Sequence, residues 1–179
     1  WNGIWKLKVP NKVKHFMWRA CKNVLPTKQC LLNRKVVLED CCDFCGESES
    51  AGHILWGCVI ARETWKESKL RLPNLRQPPK DFLDVVWMLM EAPGEKNWEG
   101  FAVTAWCLWN NRNSARHGGV CKKGKTIARE AQKYEEEVRA SVPAQKNGKP
   151  SAPRIKHWTP PPRGQYKINS DAAVFQDLG

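Results

Sequence analysis

Cys42, Cys45, His53 and Cys58 form a Cys-x2-Cys-x7-His-x4-Cys pattern, the residue types and spacing of a tetrahedral zinc site. Two thiolates on a tight turn grip one side of a small soft cation, and the His and last Cys approach from the other. Four protein ligands leave no position for an activated water. The spacing therefore predicts a structural metal that contributes folding free energy rather than catalysis. Cys41 adjoins Cys42 and would make an allowed Cys-x3-Cys with Cys45, so the first ligand is Cys42 or Cys41, with Cys42 favoured by the tighter turn. Eight cysteines would suggest a disulfide framework in a short secreted protein, and buried unliganded thiols are the other competing reading. The opening stretch, Trp1 to Val9, is aromatic and basic and is not expected to act as a signal peptide. Cys21, Cys30 and Cys107 fall among apolar residues and read as buried thiols.

Elements on both sides must position these ligands. Pro10 and Asn11 open a helix whose apolar residues Val13, Phe16, Met17, Ala20 and Val24 recur at helical spacing until Leu25-Pro26. Thr27 is an N-cap for a short second helix through Leu31 and Leu32. Ser50 can cap a helix that carries His53 and runs into Ala61, Thr64 and Trp65, so a turn presents the first ligand pair and a helix the second. After a Pro-rich break at Pro73 to Pro79, one helical face is traced by Phe82, Val85, Val86, Leu89 and Met90. A longer one is traced by Trp98, Phe101, Ala102, Ala105, Leu108, Trp109 and Arg112. These two stripes are expected to face each other, with a third helix over Ile127 to Val138, its apolar stripe thin, either packed on them or exposed. Most of the ten tryptophans sit where helical periodicity places core residues. Six of the twelve prolines lie between Pro143 and Pro162, which marks a linker. Gln165 to Val174 then reads as a strand.

The fold class expected is mainly α: a small zinc-stabilised helical domain at 1–70, a helical segment or hairpin at 80–142, a Pro-rich basic linker at 143–164, and a truncated terminal β-strand at 165–179. No run reaches the ~18 apolar residues of a membrane span, and the expectation is a soluble, intracellular protein. The net charge of +12 is segregated. Nine basic residues and no acidic one lie between Trp1 and Leu38, and further acid-free stretches run from Gly100 to Arg129 and from Arg139 to Ser170. Such segregation suits a polyanion, because each neutralised phosphate releases condensed counterions. The competing reading is a set of solvated helix faces. On the first helix the candidate phosphate contacts are Lys12, Lys14, Arg19 and Lys22, with Trp18 either stacking on bases or packing in the core.

Several of these signals occur together in a known order. Trp5, the run from Pro10 through Trp18 to Arg19, Leu25-Pro26-Thr27, the four ligands, and Ala61-Arg62-Glu63-Thr64-Trp65 resemble the zinc-binding domain that follows the polymerase in plant LINE-type (non-LTR) retroelement polyproteins. Trp109-Asn110-Asn111-Arg112-Asn113 resembles the helical segment that comes next. The stretch from Trp158 through Tyr166 to Ala173 resembles the first strand of a ribonuclease H domain. The resemblance implies a nuclear location and makes Asp171 a match to that nuclease's first metal-binding carboxylate. Ribonuclease H chemistry needs several carboxylates around two Mg ions. Only Asp171 and Asp177 follow the linker, so the expectation is a remnant that is not a nuclease as it stands.

Function is therefore expected to lie in a zinc-binding, non-catalytic accessory module for RNA, DNA or an RNA–DNA hybrid. A fragment of a ribonuclease H, or a scaffold for protein contacts that touches no nucleic acid, are the alternatives.

Overall fold

The computed structural model describes residues 1–72, 81–141 and 161–165. The chain forms two compact units, Trp1–Val142 and Pro143–Gly179. In the first unit the order is α1 (Asn2–Lys6), α2 (Asn11–Cys21), α3 (Lys28–Asn33), a π-helical turn (His53–Gly57), α4 (Val59–Glu67), α5 (Phe82–Glu91), α6 (Trp98–Arg116) and α7 (Gly124–Ser141). The mainly helical class expected from periodicity is the class found. Among the described residues the β-structure is a single bridge between Cys41 and Ser48. In the second unit the described residues form one turn, in which Gln165 N donates to Pro162 O at 3.0 Å. The strand expected from Gln165, with Asp171 in it, lies outside the described residues from Tyr166 onward, as do linker residues 143–160.

α2 buries Val13, Phe16, Met17, Ala20 and Cys21, which recur at three and four residues. Full burial of such side chains contributes about 1.5–3 kcal/mol each for the larger ones. The helix stops before the expected Leu25-Pro26. Asn23 takes φ 54°, a left-handed conformation that Asn tolerates better than most residues, and the reversal leaves Val24 exposed instead of on the buried stripe. The Thr27 cap forms, its side chain accepting from Cys30 N at 3.2 Å.

α6 is the central helix. Gly100, Phe101, Ala102, Val103, Thr104 and Ala105 are consecutive and all buried, so α6 is enclosed on every side at this level. Its antiparallel partner is α7: Asn97 Nδ2 donates to Glu135 Oε1 at 2.8 Å near one end, and Lys122 N donates to Asn111 Oδ1 at 2.8 Å near the other. The expected face-to-face pairing of α5 with α6 is not the main contact. α5 lies against α2 and the π-helical turn and reaches α6 through stacked Phe82 and Phe101 rings, 5.9 Å between centroids. A helix apolar all round does not reveal from its own stripe which neighbour takes which side.

The charged stretch after Gly119 is packed, not free. Gly124, Ile127, Ala128 and Ala131 are buried, a narrow seam against α4 and α6. At Gly124 the approach is close enough that a Cβ would stand 2.6 Å from the backbone N of Thr64, and Gly124 N donates to Glu63 Oε2 at 3.0 Å.

An aromatic ladder joins the layers. Trp56, Trp65, Phe101 and Phe82 follow one another at centroid distances of 5.4, 5.0 and 5.9 Å, and Trp65 Nε1 donates to Leu55 O at 2.8 Å. Of the described tryptophans only Trp65 and Trp109 are buried, whereas Trp1, Trp5 and Trp87 are exposed. Core placement of most tryptophans, expected from periodicity, is corrected to half-buried and exposed positions.

Candidate metal centre and basic face

Local backbone geometry gathers the ligands in two halves. The first half is a reversal from Asp40 to Glu49, closed by Glu49 N to Asp40 O at 2.8 Å, Cys42 N to Glu47 O at 2.7 Å and Gly46 N to Cys42 O at 2.9 Å. Gly46 has φ 78°, a left-handed conformation that lacks a Cβ penalty only for glycine, and it lets the chain turn back directly after Cys45. The second half begins where the Ser50 hydroxyl accepts from His53 N at 3.0 Å, the cap expected from the sequence. The helix that follows is not continuous. Cys58 N donates to His53 O at 2.7 Å, an i→i+5 closure of π type, and α4 starts afresh from Cys58. In an unbroken α-helix, residues five apart point about 140° away from each other. The π closure together with the extended backbone at Cys58 (ψ 148°) brings Cys58 to the side of His53.

One ligand atom from each of Cys42, Cys45, His53 and Cys58 lies within 4.8 Å of all the others. Cys42 Sγ and Cys58 Sγ are 3.8 Å apart, and Cys45 Sγ is 3.2 Å from His53 Nε2. Tetrahedral zinc–thiolate bonds of about 2.3 Å require sulfur–sulfur edges of about 3.8 Å. The donor set and the sulfur edge therefore fit zinc, and Cys42, Cys45, His53 and Cys58 would hold it. Cys41 is exposed, is turned into the bridge with Ser48, and stands outside the cluster, which contains Cys42.

Within the cluster the hydrogen bond to Cys58, reinforced by burial, pushes the Cys42 thiol up to about 12. The same hydrogen bond is the main cause that lowers Cys58. Burial likewise raises Cys21 and Cys107 to about 11, as suits packed thiols, although Cys30 and Cys107 are only half-buried.

Two surrounding residues had no signal in the spacing. The Glu47 carboxylate stands 3.6 Å from His53 Nδ1, on the nitrogen turned away from Cys45, where a carboxylate orients a ligating imidazole. Glu49 is 1% exposed and pairs with Arg112, which is 4% exposed. Arg112 Nε donates to Glu49 Oε2 at 3.2 Å, its Nη2 donates to Oε1, and Lys28 N at the start of α3 donates to Oε1 at 2.8 Å. The Arg112 guanidinium also lies 4.9 Å from the Trp109 ring centroid. Trp109, Asn111 and Arg112 are accordingly joints of the fold: Arg112, over the Trp109 ring, fixes α6 to the metal loop, and Asn111 holds the end of the connection into α7. Arg112, counted among basic residues suited to a polyanion, is internally neutralised, and Lys122 is paired with Glu130 at 2.8 Å.

The cations on and around α1 and α2 behave differently. Among the described residues, none of Lys6, Lys8, Lys12, Lys14, Arg19 and Lys22 pairs with a carboxylate. Lys12, Arg19 and Lys22 are exposed and Lys14 is half-buried. Lys12 Nζ lies 4.7 Å from the Trp106 centroid and 5.4 Å from that of Tyr134. Lys14 Nζ donates to Trp5 O at 3.1 Å, and Lys22 Nζ lies 4.9 Å from the Trp1 centroid. Trp18, weighed between stacking and core, is half-buried.

Comparison with known proteins falls on these same features. Residues 1–65 match the family described as zinc-binding in reverse transcriptase. All four cluster residues lie inside that match. A curated relative from Arabidopsis thaliana, named "Putative ribonuclease H protein", is 26% identical over 187 aligned positions that take in 96% of this chain. The chain spans 29% of the length of that relative. No solved structure matches significantly. Among the described residues, no helix is long and apolar enough to cross a membrane.

Proposed function

We propose that this chain is a zinc-organised accessory module of a reverse-transcriptase polyprotein of the LINE-type retroelement class, and that it binds nucleic acid without itself catalysing a reaction. One structural zinc on Cys42, Cys45, His53 and Cys58 would tie the Asp40–Glu49 reversal to the π-helical turn. Through the aromatic ladder and the Glu49–Arg112 pair it would fix α6, on which α2 packs. The observation that carries the reading is the contrast among the cations: Arg112 is neutralised inside, whereas Lys12, Lys14 and Arg19 on α2 and Lys22 at its C-cap have no carboxylate partner among the described residues. Cations left in this state serve a polyanion, RNA, DNA or their hybrid, through phosphate contacts that set position rather than sequence.

The division into a zinc domain at 1–70, a helical segment at 80–142, a basic linker at 143–164 and the first strand of a ribonuclease H-like domain from 165 belongs to the same proposal, as does a nuclear location. The name of the curated relative favours a second reading, in which the whole parent protein cuts the RNA of RNA–DNA hybrids. There Asp171 would be one of several carboxylates holding Mg, with the remainder beyond this chain.

The test is a titration of the full chain with labelled RNA over a series of salt concentrations. Binding should weaken steeply as salt rises, with a slope that falls by about one for each α2 phosphate contact removed. Absence of binding at low salt would leave the protein-scaffold reading in its place.

A further inference from the structure

Resting on that nucleic-acid reading, we infer that the α1–α2 face receives a single strand with its bases unstacked, Trp5 and Trp1 acting as stacking platforms and the α2 cations as phosphate contacts. Trp5 is 41% exposed and Trp1 53%, large apolar rings left in solvent on a surface that carries no acidic residue from Trp1 to Leu38. Trp1 is the N-cap residue of α1 and Trp5 lies within that helix, four residues on.

The rings are held in place by the helix that supplies the charge. His15 meets Trp5 edge to face at 5.2 Å between centroids, Lys14 Nζ grips the Trp5 carbonyl at 3.1 Å, and Lys22 Nζ stands 4.9 Å from the Trp1 centroid. His15, Arg19 and Lys22 recur at four and three residues and share the outer face of α2. Glu99 Oε1, the carboxylate that reaches the α1–α2 connection, is occupied by Lys8 N at 3.1 Å. Aromatic platforms alternating with unpaired cations are the composition that takes single strands with little sequence preference. A duplex hides its base faces and would use only the cations.

The deciding experiment titrates the full chain with a short labelled oligouridylate and, separately, with an RNA duplex of equal length. The wild type should bind the single strand more tightly. Trp5→Leu, which keeps apolar bulk but removes the π face, should weaken single-strand binding roughly tenfold while duplex binding and the salt slope stay unchanged, and Trp5→Phe should restore most of the loss. Native helical circular dichroism of both variants ensures that folding is not the cause. Equal binding of single strand by the wild type and Trp5→Leu, with the salt dependence intact, overturns the stacking inference but leaves phosphate binding standing. No salt-dependent binding to either probe overturns the nucleic-acid reading itself.

Discussion

The metal junction and the α1–α2 face use similar residues to opposite ends. Around the cluster, charge and sulfur are turned toward one another: Arg112 is spent on Glu49, Lys28 N on the same carboxylate, and four ligand atoms converge within 4.8 Å. On α1–α2 the cations rest on rings and a carbonyl, and Lys12, Arg19 and Lys22 remain exposed. Arginine or lysine in a sequence therefore has no fixed meaning as a binding residue. What decides is whether the fold brings a carboxylate to it. The junction should fail by unfolding, and the face should fail by losing a partner while the fold persists.

The contrast can be broken most severely at the metal. Cys42→Ser or His53→Ala should lose zinc and melt the helices of the first unit, because structural zinc supplies apparent binding energies of about 10–16 kcal/mol in small zinc domains. Metal content and far-ultraviolet circular dichroism read both effects. Next in size is Arg112→Ala, which strands Glu49 in a dry site and should cost about 3–5 kcal/mol in denaturant unfolding. A double-mutant cycle with Glu49→Gln should show strong non-additivity, and additive losses would mean that the two groups do not depend on each other. Gly124→Ala forces a Cβ onto the Thr64 backbone and should cost about 1–3 kcal/mol by overpacking, visible as a lowered Tm. At the far end of the scale, Arg19→Gln should change stability by no more than about 0.5 kcal/mol yet reduce the salt slope of RNA binding by about one. An Arg19 variant that destabilised the fold as much as Arg112→Ala would erase the distinction between the two regions.

These regions also differed in how far the sequence revealed them. The cluster was legible because metal coordination constrains residues that lie within one loop and one helical turn, and because only a few residue types can do it. Ser50, Thr27 and the buried stripe of α2 were legible for the same local reason. The Glu49–Arg112 pair was not, since its partners are 63 positions apart and neither carries a local pattern that distinguishes it from a surface charge. The π closure at Cys58 was missed because its i→i+5 bond answers to ligand placement rather than to helix periodicity. The end of α2 was misplaced because a single left-handed Asn23 outweighed two further apolar residues. α6, apolar on all sides, concealed its partners, so α7 took the place assigned to α5.

Everything proposed for the cations depends on a fold that the metal holds together. The most direct measurement is native mass spectrometry of the full chain before and after a strong zinc chelator, with helical circular dichroism followed in parallel. One zinc per chain, lost together with the helical signal and regained with it when zinc is restored, is the predicted result. A chain that carries no zinc and keeps its helices would contradict it.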